Sequence, residues 1–204
     1  MHSEPSQRTQ LMRAIKDEVF ALTTSPLYRE RAESGAFPVI GEGSHDARIV
    51  FVGEAPGKNE AKTGRPFCGA SGKVLDALLQ GVGIARSDVY ITNVVKDRPP
   101  MNRDPLPEEI ALYGPFLERQ LTIIRPNVVV PLGRFAMAYI MELYGIGHEL
   151  KPISHIHGTA FLGTAPWGAI HVMPLYHPAV AVYNRNMLPT LQKDIAQLVS
   201  LVTH

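Results

Sequence analysis

The chain has 204 residues, of which 45% are hydrophobic and 19% are charged, and its formal net charge at pH 7 is +1. This composition predicts one compact domain, residues 1–204, with a sizeable core, and the near-neutral charge neither requires nor excludes a local basic face. Because Cys68 is the only cysteine, an internal disulfide and a metal or iron–sulfur site held by several cysteines are excluded. We find no signal peptide and no stretch of the roughly 20 apolar residues that a membrane span needs, so we expect a cytoplasmic protein.

The hydrophobic pattern predicts helices and strands that alternate along the chain. Residues 1–7 are polar and are expected to fray, and residues 8–22 have the apolar spacing of an amphipathic helix. Further helices are predicted at 71–82, 108–124, 134–144 and 187–202, and strands at 48–53, 88–95, 128–132 and 170–175. Residues 151–169 are predicted to be loop or short irregular strand. We therefore expect the α/β class, with a three-layer α/β/α sandwich around a central, mostly parallel four-stranded sheet.

Polar side chains follow three of the predicted strands. Glu54 comes directly after the first strand, Asn93 lies at the end of the second, and His177 follows the last. Because the carboxyl ends of parallel strands meet at one edge of a sheet, we expect these side chains to converge on one crevice. A carboxylate, an amide and an imidazole in one crevice are a candidate active site.

Four short segments, taken in order, carry a resemblance to a known family. They are Gly53-Glu54-Ala55-Pro56-Gly57, Gly64-Arg65-Pro66-Phe67, Tyr90-Ile91-Thr92-Asn93-Val94-Val95-Lys96 and His177-Pro178-Ala179. Each segment is weak evidence alone, but together they resemble the uracil-DNA glycosylase superfamily, and above all its family 4 branch. The resemblance implies a uracil-DNA glycosylase-like fold. It also implies a monomeric repair enzyme that removes uracil from single- and double-stranded DNA without a metal.

The resemblance assigns the chemistry to three residues. Glu54 would face the positive charge that develops on the sugar, and would orient or deprotonate the attacking water. His177 would donate a hydrogen bond to uracil O2 as negative charge develops there. Glu60 is left open between two roles, since it could help to shape the pocket and place water or could cap the following segment. The structural alternative for Glu54 is a surface glutamate in a tight turn.

Four further residues are expected to bind the base. Phe67 would stack on the flipped uracil, and the Asn93 amide would accept from N3–H and donate to O4, a pattern that cytosine cannot match. The main chain of Gly53 and Ala55 would contact the same base edge. The structural alternatives are a core phenylalanine at Phe67 and an asparagine turn at Asn93.

Basic loops and one apolar segment are the predicted contacts with DNA. Residues 179–185 match the segment that in relatives enters the minor groove, and cations from loops at the same edge would form a basic footprint. The predicted DNA-binding residues are Lys58, Arg65, Lys96, Arg98, Val180, Tyr183 and Arg185.

The sequence departs from the family pattern in two places. Relatives in family 4 carry four cysteines that hold an iron–sulfur cluster, and the corresponding positions here are Leu22, Ser25, Asp97 and Tyr113. We therefore expect no cluster, with packing by Leu22 and Tyr113 and an ion pair of Asp97 as substitutes. The loop at 96–105 also lacks the histidine-bearing insertion of the subgroup that cross-links to DNA, so we expect ordinary turnover.

Three other functions remain open at this point. The first is a glycosylase for another deaminated base, such as hypoxanthine or xanthine, although Asn93 favours a pyrimidine. The second is a non-catalytic DNA-binding relative, which the joint presence of Glu54, Asn93 and His177 disfavours. The third is a nucleotide-binding Rossmann-like domain, but the first loop lacks the glycine pattern that binds a pyrophosphate.

Overall fold

The computed structural model describes residues 6–202. The helices are α1 (Gln7–Phe20), α2 (Tyr28–Ser34), α3 (Lys58–Thr63), α4 (Ala70–Gly81), α5 (Pro107–Ile124), α6 (Arg134–Leu143), α7 (Ile153–Ile156), α8 (Ala179–Tyr183), α9 (Leu188–Ala196) and α10 (Leu198–Val202). The Ser6 hydroxyl caps α1 by accepting a hydrogen bond from the main-chain N–H of Thr9. The predicted fraying therefore does not extend to Ser6 and Gln7, and the rest of that prediction lies outside the described residues.

The strands form one mixed sheet. They are β1 (Glu42–Gly43), β2 (Ile49–Gly53), β3 (Tyr90–Asn93), β4 (Val128–Pro131), β5 (Phe161–Ala165) and β6 (Gly168–Val172), in the spatial order β1-β3-β2-β4-β6-β5. The central strands β3, β2, β4 and β6 are parallel, which confirms the predicted four-stranded core of an α/β fold. The antiparallel edge strands β1 and β5 are additions to that prediction.

The three layers follow from the alternation of side chains along the central strands. Val50 and Val52 of β2 pack into a core that contains residues of α1, α5 and α6. Ile49 and Phe51, which point the other way, pack into a second core that contains residues of α4 and α9. Successive side chains of a strand point to opposite faces, so an unbroken apolar run is what a sheet covered on both sides requires.

Several short elements are absent from the prediction. Residues 151–169 contain α7 and β5, where loop or short irregular strand was expected, and helices α2 and α3 lie in segments without a clear pattern. Helices of four to seven residues make fewer than two turns, so hydrophobic periodicity cannot reveal them. Edge strand β5 has alternately exposed residues, and therefore lacks the continuous apolar run of a central strand.

Three of the four positions that the family resemblance aligns with cysteines, Ser25, Asp97 and Tyr113, are hydrogen-bonded to one another. The Tyr113 hydroxyl donates to Asp97 over 2.5 Å, and the Ser25 hydroxyl is bonded to Tyr113 at 2.7 Å. The Asp97 carboxylate is paired with Arg31 at 3.1 Å, and Arg31 also donates to two main-chain oxygens at the end of α1. The expected ion pair of Asp97 is thus confirmed, and Leu22 packs against the adjoining core.

This buried ion pair predicts a large loss of stability on removal of its cation. Arg31→Met leaves Asp97 buried without a charged partner and should lower the free energy of unfolding by about 3–5 kcal/mol in urea denaturation. The matched control is Arg29→Met, which removes the exposed ion pair between Arg29 and Glu33, one helical turn further along α2. This substitution should change the free energy of unfolding by at most about 0.5 kcal/mol. Equal effects of the two substitutions would contradict a stabilising role for the Arg31–Asp97 pair.

Candidate active site

A pocket of about 350 Å³ lies beside the carboxyl ends of the central strands. It is lined by Glu54, Ala55, Pro56, Gly57, Glu60, Phe67, Ser71, Asn93, Pro99, Asn102, Arg103, His177 and Ala179. The structure therefore brings together Glu54, Asn93 and His177, which the sequence separates by more than a hundred residues. A concave site with a few polar groups and an aromatic ring suits a small planar ligand.

Strand register places the polar side chains of this pocket. Gly53 at the end of β2 pairs with Asn93 at the end of β3, so both residues reach the sheet edge together. On the other side of β2, Leu132 after β4 forms a parallel bridge with Leu175, which directly precedes Tyr176 and His177. Parallel pairing thus fixes the relative height of the amide and the imidazole.

Gly53 provides the space in which the pocket side chains lie. A Cβ atom at this position would overlap Oδ1 of Asn93 and would approach the Phe67 ring to 2.9 Å. Phe67 itself has a left-handed backbone with φ 48°, an unfavourable conformation for a residue with a side chain. Gly72 of α4 lets that helix contact the main chain of Phe67. The main chain of Phe67 thus packs against α4, while its ring faces Gly53.

The polar groups of the pocket have unused hydrogen-bonding capacity. Within residues 6–202, the Asn93 amide and the Glu54 carboxylate make no hydrogen bond, and Nε2 of His177 has no partner. Asn93 as a whole residue is only 2% exposed, but it lines the pocket, where a ligand can reach its amide. A ligand with complementary donors and acceptors would supply the missing partners.

Hydrogen bonding and burial define the state of His177. The main-chain N–H of Ala179 donates to Nδ1 over 3.2 Å, so the neutral ring carries its proton on Nε2. Burial lowers the pKa of His177 to about 4, because the charged ring would lose its hydration. At neutral pH the residue is therefore a neutral imidazole that offers Nε2–H as a donor.

The pKa of Glu54 is shifted in the opposite direction to that of His177. Burial raises the pKa of its carboxyl group to about 7, and the nearby charge of Asp104 adds to this effect while Arg134 opposes it. Such a carboxyl group changes its protonation near physiological pH. This is the range in which a general base is most effective.

Comparison with known proteins identifies the family. The sequence profile described as the uracil DNA glycosylase superfamily matches residues 40–199. The chain belongs to the uracil-DNA glycosylase superfamily. A Type-4 uracil-DNA glycosylase from Sulfurisphaera tokodaii is 42% identical over 185 residues, which cover 90% of this chain and 81% of that protein. Type-4 uracil-DNA glycosylases from Archaeoglobus fulgidus and Thermotoga maritima are 46% and 43% identical and align with 78% and 88% of this chain.

Glu60 lines the pocket of this superfamily member and also acts as a helix cap. Its Oε1 atom accepts a hydrogen bond from the main-chain N–H of Gly69 over 3.2 Å, and Gly69 is the N-cap residue of α4. The two roles that the sequence left open are therefore compatible. A negative charge at a helix N-terminus is also favourable.

The predicted DNA-binding cations have different surroundings. Lys58 is exposed at the start of α3, and the half-buried Arg98 donates through Nε to Asn102, which lines the pocket. Arg65 is exposed but lies in a bidentate pair with Glu42 at 2.8 and 3.0 Å, so its charge is largely compensated. Lys58 and Arg98 are better placed than Arg65 to contact a phosphate beside the pocket.

The structure corrects the prediction that Lys96 contacts DNA. Its side chain is 0% exposed and its ammonium group is bonded to three protein oxygens, so no phosphate can reach it. The error arose because a lysine in a polar loop after a strand is usually exposed. Sequence alone gave no sign of the acceptors that surround it.

The segment after His177 presents its side chains in two directions. Val180 packs partly against the second core, which argues against a role for it as an inserted wedge. Tyr183 is 89% exposed and shares a groove with Val182 and Asn102 beside the pocket. Arg185 is exposed directly after α8. The apolar wedge predicted for this segment is therefore available from Tyr183 and Val182.

The loop before α5 contributes residues that were not singled out from the sequence. Pro99 and Asn102 line the pocket, and Met101 between them is 90% exposed with a left-handed φ of 55°. Arg103 anchors the loop through two hydrogen bonds to the buried Glu109. The location of this loop directly after β3 could have indicated that it lines the pocket. No sequence pattern predicts the left-handed conformation at Met101.

Two negative findings concern the described residues only. Within residues 6–202, no cluster of three or more His, Cys, Asp or Glu side chains is arranged to hold a metal ion. In the same range, no helix combines the length and the apolar character that crossing a membrane requires.

Glu54 and His177 are expected to make opposite contributions to the pH dependence of stability. The pKa of His177 is lowered from 6.5, so its contribution is complete above that pH and is lost as the pH falls to about 4. The pKa of Glu54 is raised from 4.5, so its contribution is present at low pH and is lost as the pH rises through about 7. His177→Gln should therefore flatten the loss of unfolding free energy between about pH 7 and about pH 4, by up to about 3 kcal/mol, and Glu54→Gln should steepen it.

Urea denaturation at a series of pH values measures both effects. A matched control is His155→Gln, which replaces an exposed histidine in α7. Parallel stability curves for the wild type and both pocket variants would contradict the assigned protonation states.

Proposed function

We propose that this protein is a uracil-DNA glycosylase, a monofunctional hydrolase that cleaves the N-glycosidic bond of deoxyuridine in DNA and leaves an abasic site. The observation that supports this most directly is the set of unused hydrogen-bonding groups around the pocket, an amide, a carboxylate and an imidazole Nε2–H beside an aromatic ring. The similarity to Type-4 uracil-DNA glycosylases supports the same substrate.

The proposed base recognition follows from Phe67 and Asn93. Uracil cannot be reached inside a duplex, so it must leave the base stack and enter the pocket. Stacking on the Phe67 ring is worth roughly 1–3 kcal/mol for any base and therefore does not select uracil. The Asn93 amide supplies the selection, because it can accept from N3–H and donate to O4, whereas cytosine presents the opposite pattern.

The proposed chemistry uses the protonation states of His177 and Glu54. As the bond from N1 to C1′ breaks, negative charge moves onto the base and positive charge onto the sugar. The neutral His177 donates Nε2–H to O2 of the departing base, which stabilises the negative charge. The Glu54 carboxylate stabilises the sugar cation and takes a proton from the water that adds to C1′.

DNA binding in this proposal uses the exposed side chains beside the pocket. Tyr183 and Val182 would fill the gap left by the flipped base, while Lys58, Arg98 and Arg185 would contact phosphates. The loop at 96–105 contains no histidine, so the enzyme is proposed to turn over without a covalent adduct. We expect it to act as a cytoplasmic monomer on single- and double-stranded DNA.

We also propose that the enzyme works without an iron–sulfur cluster. Clusters are held by thiolates, and the residues at the corresponding positions do not fit such a ligand set. Ser25, Asp97 and Tyr113 use their oxygen atoms to bond one another, and Asp97 is further paired with Arg31. No step of the proposed reaction depends on a cluster.

Labelled oligonucleotides that carry U, T, C, hypoxanthine or xanthine test the proposed substrate. Alkali-induced scission is expected only at U, and both His177→Ala and Asn93→Ala should slow the reaction by about 100-fold or more without loss of the fold. A matched control is Asn127→Ala, an exposed position directly before β4, at the opposite end of the sheet. Scission at the purines would favour the alternative substrates, and DNA binding without scission would favour the non-catalytic relative.

The pH dependence of the rate tests the role of Glu54. Because the carboxylate is the active form and the pKa lies at about 7, kcat/KM should rise with pH through that value and level off above it. Glu54→Gln should reduce kcat/KM by about 100- to 10,000-fold and abolish this rise. A rise that persists in Glu54→Gln would assign the ionisation to another group.

A further inference from the structure

Lys96 is a fully buried lysine without a nearby carboxylate. Its side chain is 0% exposed, and Nζ donates to Oγ1 of Thr92 (2.8 Å), to the main-chain oxygen of Asn93 (2.7 Å) and to Oε1 of Gln120 (2.6 Å). Among residues 6–202, no carboxylate lies within ion-pair distance of it, and the neighbouring Asp97 is paired with Arg31. A lysine in this position is unusual, because buried charges normally have partners of opposite sign.

The surrounding hydrogen bonds show that Nζ of Lys96 is the donor in all three of its hydrogen bonds. Thr92 gives its only hydroxyl proton to the main-chain oxygen of Ile40, so its Oγ1 can only accept from Lys96. Gln120 donates through Nε2 to the same oxygen of Ile40, which orients its Oε1 toward Lys96. The main-chain oxygen of Asn93 can only accept.

Three acceptors match the three protons of an ammonium group and not the two of a neutral amine. Burial lowers the pKa of Lys96 because the charged form is desolvated. The three acceptors oppose this effect, since deprotonation would leave one of them facing a lone pair. The hydrogen-bond pattern therefore favours a charged Lys96 at neutral pH.

We propose that Lys96 is a positioning residue of the reaction, whose buried ammonium holds the main chain of Asn93 and thereby orients the amide that reads the base. The proposal rests on the proposed function of the pocket. Lys96 does not touch the substrate and acts through the residue to which it is bonded.

Single-turnover kinetics on uracil-containing DNA test this role. Lys96→Met should reduce the rate of uracil release by about 10- to 100-fold and should reduce the preference for U over C. Its Kd for DNA and the salt dependence of that Kd should remain those of the wild type, whereas loss of a phosphate contact would lower the salt slope by about 1.

The matched control is Thr92→Val, which removes another bond of the same network but leaves Lys96 bonded to Asn93. Both variants are expected to lose stability, and only Lys96→Met is expected to lose rate and base preference. A Lys96→Met enzyme within twofold of the wild-type rate, or a Thr92→Val enzyme that is slowed as much, would overturn the proposal. A wild-type protein that releases no uracil would instead overturn the proposed function on which it rests.

Nuclear magnetic resonance of the wild-type protein provides a second test, which does not depend on whether a substituted protein folds. With lysine labelled by ¹⁵N and ¹³C, Lys96 should give an ammonium signal at neutral pH that exchanges slowly with water. A neutral amine signal, or rapid exchange of every lysine ammonium, would overturn the charged and buried state that the proposal requires.

Discussion

The candidate site depends on the absence of a side chain at Gly53. Parallel pairing brings this residue level with Asn93 at the ends of β2 and β3, where a Cβ atom would occupy the space of the Asn93 amide and crowd the Phe67 ring. The same parallel pairing continues to the strand end before His177. A sheet edge usually presents side chains from every strand, so one glycine at this point turns the edge into a base-sized pocket.

The two side chains proposed to contact the polar edge of the base carry no charge at neutral pH. Asn93 is an amide, and His177 is neutral because burial keeps its pKa far below the physiological range. A neutral pyrimidine can therefore enter without displacing the hydration of a charged group, which would be costly in a buried site. Three charged residues, Glu54, Glu60 and Arg103, also line the pocket, and the raised pKa of Glu54 reflects the same burial. The burial that favours a neutral pyrimidine therefore also sets the protonation of the Glu54 carboxyl group.

Much of the fold was predictable, because the central strands are apolar runs and the long helices have clear periodicity. The convergence of Glu54, Asn93 and His177 was predictable for a topological reason, since all three follow strands of one parallel sheet. The directions in which individual side chains point were not predictable from the sequence. Lys96 was assigned to DNA from its position in a loop, but buried acceptors hold it inside, and Val180 packs partly against the second core. Such contacts come from Gln120 and other residues distant in sequence, which no local pattern reveals.

The segment that follows Asn93 is held by hydrogen bonds and an ion pair along its whole length. The main-chain N–H groups of Val94 and Val95 donate to the segment after β2, and the main-chain oxygen of Lys96 accepts from Val39. At the end of the segment, Asp97 is bonded to Arg31 and to Tyr113. Each residue from Val94 to Asp97 is therefore bonded to a distant part of the chain. Because Asn93 begins this segment, the same buried network of oxygen and nitrogen atoms limits the positions that its amide can take, and under the proposed function this rigidity serves recognition of the base.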